Sequence, residues 1–151
     1  MTIKRLDHTV LVVEDLEAAV AFFSALGMTV EGEGQLSGDW IDRVNGMDGV
    51  RVHIVLLRTP DGNGRLELTR FQSPELVAQT PSPAPPNALG LRSVMFEVDD
   101  LGAALDAVQR RGGVLMGDVA QYEDQYRLCY VRGPGGAIVA LAEDIRQDRS
   151  S

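Results

Sequence analysis

A few residues in this chain have types and spacing suited to chemistry: two histidines, a glutamate set between leucines, and a run of tyrosines beside an arginine. His8 follows Leu6-Asp7 and offers an imidazole that can ligate a metal or carry a proton. Glu67 stands between Leu66 and Leu68. Alternation along a strand puts those leucines under a helix and the carboxylate on the other face. Buried there without a metal, such a carboxylate is a general base. In Val52-His53-Ile54-Val55-Leu56 the residues Val52, Ile54 and Leu56 read as the apolar face. His53 is then expected to turn toward a ligand-binding face or toward solvent. The stretch Gln121-Tyr122-Glu123-Asp124-Gln125-Tyr126-Arg127 reads as a loop feeding a strand. Tyr122, Tyr126, Arg127 and Arg92 together suit an oxygen-rich or carboxylate ligand, because guanidinium grips a carboxylate as a fork. Trp40, the only tryptophan, lies between Gly34 and Gly49 in a stretch with weak secondary-structure signals. It reads either as a cover for a binding site or partner, or as an anchor for its own loop. Cys129, the only cysteine, sits between Leu128 and Tyr130 and reads as a buried, inert thiol.

The elements that must position these residues come in two copies. Val13-Glu14-Asp15-Leu16-Glu17-Ala18-Ala19 is echoed by Val98-Asp99-Asp100-Leu101-Gly102-Ala103-Ala104, an offset of 85 that also carries Gly27 onto Gly112. Each copy opens with a strand, Leu6 to Val13 and Leu91 to Val98. Asp15 and Asp100 stand where N-caps belong. Leu16, Ala19, Val20, Phe23 and Leu26 form one helical stripe, and Leu101, Ala104, Leu105 and Val108 form the other. Gly27 and Gly112 are placed to end these helices with positive φ. Three strands are expected after each helix: near Met28 to Glu33, Val50 to Leu57 and Arg65 to Phe71, then near Val114 to Val119, Arg127 to Val131 and Ala137 to Ala142. Pro60-Asp61-Gly62-Asn63-Gly64 and Gly133-Pro134-Gly135-Gly136 supply turns.

This reading gives an α+β fold: a first βαβββ module at residues 4–73, a proline-rich linker at 74–90, a second module at 91–144 and a polar tail at 145–151. The two modules are expected to form one curved, cup-shaped mixed sheet with helices outside, in one compact domain. A helix covers only one face of each small sheet, and the other face needs a sister module, a partner chain or a ligand.

Composition narrows the partners. The chain has 151 residues, with 14 basic against 22 acidic side chains and a net charge of −8. Such a surface repels phosphate backbones and anionic lipid, so neither nucleic acid nor a membrane surface is expected as a partner. No apolar run reaches the ~18 residues of a membrane helix. A single cysteine excludes an internal disulfide framework and is consistent with a reducing cytoplasm. The glycine-rich segments precede strands, so they offer no helix N-terminus to a phosphate.

Tandem modules with Leu6-Asp7-His8, Val13-Glu14-Asp15-Leu16, Phe22-Phe23, Leu26-Gly27, Leu66-Glu67-Leu68, Phe96-Glu97-Val98-Asp99-Asp100-Leu101, Gly112-Gly113 and Gly133-Pro134-Gly135-Gly136 resemble the vicinal oxygen chelate superfamily. That superfamily comprises glyoxalases, bleomycin-resistance proteins, epimerases and ring-cleaving dioxygenases. The resemblance implies a cup that binds a small molecule, and a homodimer. It also implies four metal-ligand positions, two on first strands and two on last strands. Carried onto this chain they fall at His8, Glu67, Ser93 and Ala140. Serine is a poor ligand and alanine is none, so the set is degenerate. The cofactor is therefore either none or a divalent metal, Zn, Ni, Mn or Fe. Three activities are compatible with this. One is a protein that binds an oxygen-rich or antibiotic-like molecule without metal. Another is a metal-dependent lyase, isomerase or dioxygenase acting on vicinal oxygens. The last is a metal-free acid–base enzyme using Glu67.

Overall fold

The computed structural model describes residues 2–146. The chain divides between Ala78 and Gln79 into two compact units. Of the expected polar tail, residues 147–151 lie outside the described residues.

The first unit runs β1 (Thr9–Val12), α1 (Leu16–Ala25), β2 (Thr29–Ser37), α2 (Asp39–Asn45), β3 (Arg51–Arg58) and β4 (Arg65–Ser73). Its sheet has the order β1-β4-β3-β2, with β1 parallel to β4 and the other neighbours antiparallel. Asp15 caps α1 by accepting from the amide of Ala18 at 2.9 Å. Gly27, at φ +104°, ends it, and the amide of Met28 reaches back to the carbonyl of Phe23. Ala19, Phe22 and Phe23 bury the helix face, and Leu57, Leu66 and Leu68 are enclosed with them in the core.

The stretch from Gly34 to Gly49 has more structure than its pattern suggests. Strand β2 continues to Ser37, paired along β3, and α2 follows it. Glu31, Glu33 and Gln35 are exposed on this edge strand, so no hydrophobic alternation marks it in the sequence. Asp42 secures the helix from behind, accepting from the amides of Gly49 and Val50 at 3.0 and 2.7 Å.

The second unit runs β5 (Ser93–Glu97), α3 (Leu101–Gln109), β6 (Val114–Leu115), β7 (Ala120–Tyr122), β8 (Tyr126–Arg132), a 3-10 turn at Pro134–Gly136 and β9 (Ile138–Asp144). Its sheet has the order β5-β9-β8-β6, with β7 also pairing β8. The single strand expected from Val114 to Val119 is two short ones, both laid against β8. The proline-rich segment packs on this unit: Ala84 is buried and its carbonyl accepts from Arg132 Nη1 at 2.9 Å.

The repeat holds at the level of pairing. Parallel β1–β4 sets Val10 opposite Glu67, and parallel β5–β9 sets Met95 opposite Ala140. Val10 and Met95 are related by the offset of 85, so Ala140 is the structural counterpart of Glu67.

Candidate functional site

In the first unit, Leu66 and Leu68 are fully enclosed, and their cross-strand partners Leu57 and Val55 are buried with them. Alternation then turns Glu67 and Thr69 to the opposite face, where Val10, Val12, Ile54 and Leu56 also lie. This face is partly open, with Val10 and Val12 nearly half exposed.

His8 stands one residue before β1, beside this face. Its Nδ1 lies 2.7 Å from Asp7 Oδ2 and its Nε2 lies 3.6 Å from Glu67 Oε1. Thr69, buried on β4, donates its hydroxyl to Glu67 Oε2 at 2.8 Å. Asp7 also accepts from Arg5 Nη2 at 2.9 Å. The hydrogen bond from His8 and the charge of Arg5 hold the Asp7 carboxyl below the usual aspartate range. Four side chains thus gather as two hydrogen-bonded pairs, Asp7 with His8 and Thr69 with Glu67, 3.6 Å apart at His8 Nε2 and Glu67 Oε1. Glu67 is where the sequence places it. Asp7 and Thr69 were not singled out, because their roles depend on neighbours rather than on a motif. The one available signal was Asp7 preceding a histidine outside any strand, where adjacent side chains can meet.

His53 does not join them. It shares its face with Val55 and Leu57, the face opposite Glu67, and its Nε2 lies 3.3 Å from Glu33 Oε2. The expected apolar face of Val52, Ile54 and Leu56 is the one Glu67 shares, since β3 is apolar on both sides and its deepest residue is Leu57. Trp40 on α2 is 55% exposed.

In the second unit, Ser93 is exposed opposite Ile138, and Ala140 is fully buried, its cross-strand partners Met95 and Tyr130 being exposed. Glu143, the nearest acid, faces the other way and accepts from the amide of Leu101 at 2.6 Å, at the start of α3. The segment expected to be a loop is a hairpin. Tyr122 pairs Tyr126 across it, and their rings stack with centroids 5.7 Å apart. Arg127 lies on the opposite face, opposite Glu143, so it does not stand beside the rings. Arg92 immediately precedes β5, and its buried Nε has no hydrogen-bond partner among the described residues. Cys129 is buried opposite Leu141, and this burial raises its thiol pKa.

The metal positions can be tested on these donors. His8 and Glu67 converge, but Ser93 supplies only a hydroxyl and Ala140 supplies nothing. Two protein donors fall short of the three common to held divalent ions. Among the described residues, no group of three or more histidine, cysteine, aspartate or glutamate side chains is arranged to hold a metal. These residues do not fit the four-ligand set.

Comparison with known proteins bears on the whole chain. A family model described as the Glyoxalase/Bleomycin resistance protein/Dioxygenase superfamily matches residues 5–141. The chain is similar to the solved structure of a glyoxalase family protein from Bacillus cereus, with 40% identity, 97% of each chain covered and a TM-score of 0.91. A glyoxalase family protein from Enterococcus faecalis shares the fold at 21% identity, covering 95% of this chain and 100% of that one, with a TM-score of 0.64. A glyoxylase/bleomycin resistance protein/dioxygenase domain from Frankia sp. EAN1pec does so at 14% identity, covering 98% and 96%, also at 0.64. Among curated proteins, none matches the sequence.

Proposed function

This chain belongs to the glyoxalase/bleomycin resistance protein/dioxygenase superfamily, and on that premise we propose that it binds a small oxygen-rich or antibiotic-like molecule without a metal held at the superfamily's four positions. One observation carries this reading. Strand register makes Ala140 the counterpart of Glu67, and Ser93 is the counterpart of His8 by the same offset of 85. Half of the donors are gone where a metal would need them. The open face beside His8 and Glu67 supplies the rest of the support: an apolar floor of valine, isoleucine and leucine with a few polar groups at its edge, the usual make-up of a small-molecule site. A homodimer and a cytoplasmic setting belong to the same proposal, the latter supported by a lone buried cysteine.

The competing reading is a divalent-metal-dependent lyase, isomerase or dioxygenase. The convergence of His8 Nε2 and Glu67 Oε1 at 3.6 Å favours it. Metal analysis of the purified protein separates the two, together with His8→Ala and Glu67→Ala and thermal melts with added Zn, Ni, Mn or Fe. The expected result is no stoichiometric metal and no rise in Tm with any ion, since a ligand at 100 times its Kd would add ~2.7 kcal/mol. Stoichiometric metal that disappears in both variants overturns the proposal.

A further inference from the structure

We propose that Asp7 is a positioning residue for His8, fixing the imidazole proton on Nδ1 so that Nε2 and Glu67 Oε1 stand as a pair of acceptors that takes a hydrogen-donating group of the ligand, a hydroxyl or a protonated amine. The inference deepens the metal-free reading and rests on it for the presence of a ligand.

The argument is one of donors and acceptors. An ionised carboxylate only accepts, so the 2.7 Å contact between Asp7 Oδ2 and His8 Nδ1 needs its proton on the nitrogen. The contact on the other side of the ring, 3.6 Å from Nε2 to Glu67 Oε1, is too long for a hydrogen bond and does not compete for that proton. In the neutral ring Nε2 is then a lone pair. Glu67 is oriented from its far side, where the Thr69 hydroxyl donates to Oε2 at 2.8 Å and leaves Oε1 toward His8. Two acceptors face each other across a gap, and among the described residues no hydrogen bond reaches His8 Nε2 or Glu67 Oε1. Their side chains are 33% and 21% exposed, so a solute can reach them. A ligand with O–H or N–H donors completes the chain, and a bare carboxylate is repelled by Glu67. Asp7 can reach His8 because both precede β1, which begins at Thr9, so strand alternation does not force them apart.

The test is imidazole nitrogen NMR on the full chain. With only two histidines, His53→Gln assigns the remaining ring to His8. In the neutral ring of the otherwise unaltered protein, the coupling pattern is expected to show Nδ1–H. In Asp7→Ala that pattern is expected to give way to Nε2–H, while the backbone amide spectrum shows an intact fold. A purely structural role for Asp7 would leave the ring pattern unchanged. Addition of ethanolamine is expected to shift the His8 ring and Thr69 signals, and this response is expected to weaken in Asp7→Ala. Acetate, which has no donor, serves as the control. An Nε2–H ring in the presence of Asp7, a pattern unchanged by Asp7→Ala, no response to ethanolamine, or a response to acetate in its place each overturns the inference. The ring pattern requires neither ligand nor metal, so its failure is separate from failure of the metal-free reading, which falls on metal analysis.

Discussion

The hydrogen bond from Thr69 to Glu67 can be weighed by a double-mutant cycle with Thr69→Val and Glu67→Ala. Valine matches threonine in shape, and Thr69 is 4% exposed, so the substitution chiefly removes a buried hydroxyl and its hydrogen bond. The backbone carbonyl of Thr69 still accepts from Val13, so the β1–β4 seam is untouched. A hydrogen bond to an ionised carboxylate contributes about 1.5–3 kcal/mol. The Glu67 side chain is 21% exposed, and water replaces part of what is lost. A coupling at or just below the lower end of that range follows, about 1–1.5 kcal/mol. In urea unfolding, with a slope of ~2 kcal/mol per M, the coupled part corresponds to a midpoint change of roughly 0.5–0.75 M. The two single variants and the double variant are unfolded under one buffer, and the coupling is taken from the four free energies. A coupling below ~0.3 kcal/mol refutes the reasoning, because additive losses of that kind mark independent sites. Glu67 would then rotate freely, and its Oε1 would not be held toward His8.

Two further outcomes follow from the second unit. Glu143→Ala leaves the amide of Leu101 without its acceptor at the start of a helix and is expected to cost ~2 kcal/mol in urea unfolding, with Glu143→Gln losing less. Burial raises the Cys129 pKa, so the folded protein keeps a proton that the unfolded chain releases above ~8.5. Stability is therefore expected to fall as pH rises through that range, and a thiol reagent is expected to label the native protein slowly and the urea-unfolded protein fully. Rapid labelling of the folded protein at pH 8 would contradict the burial argument.

The helices and their ends were legible because caps are local. Asp15 and Asp100 accept from the amides three residues on, and Gly27 and Gly112 have the positive φ their places require. Glu67 was legible for the same reason: its leucine neighbours point it away from the helix by alternation alone. The face of His53 was not legible because β3 is apolar on both sides, and a lone polar residue cannot then say which face is inside. Only the pairing of Val55 with Leu68 and of Leu57 with Leu66 decides it. Arg127 was grouped with the tyrosines by nearness in sequence, which on a strand separates neighbours. The far end of strand β2, beyond Glu33, and helix α2 were missed because exposed edges carry no burial pattern. The Asp7–His8 contact depends on where β1 begins, and a boundary that fine is not set by local composition.

The difference between Glu67 and Ala140 extends to the strands that carry them. Strand β9 buries four consecutive residues, Ile138 to Leu141, whereas the matching part of β4 is interrupted by a partly exposed acid. Ala140 itself is fully buried, while its cross-strand partners Met95 and Tyr130 are 55% and 38% exposed. The two sheets therefore offer solutes unlike surfaces: the first sets an acid among its apolar side chains, and the second, at the matching place, sets only a thioether and a phenol.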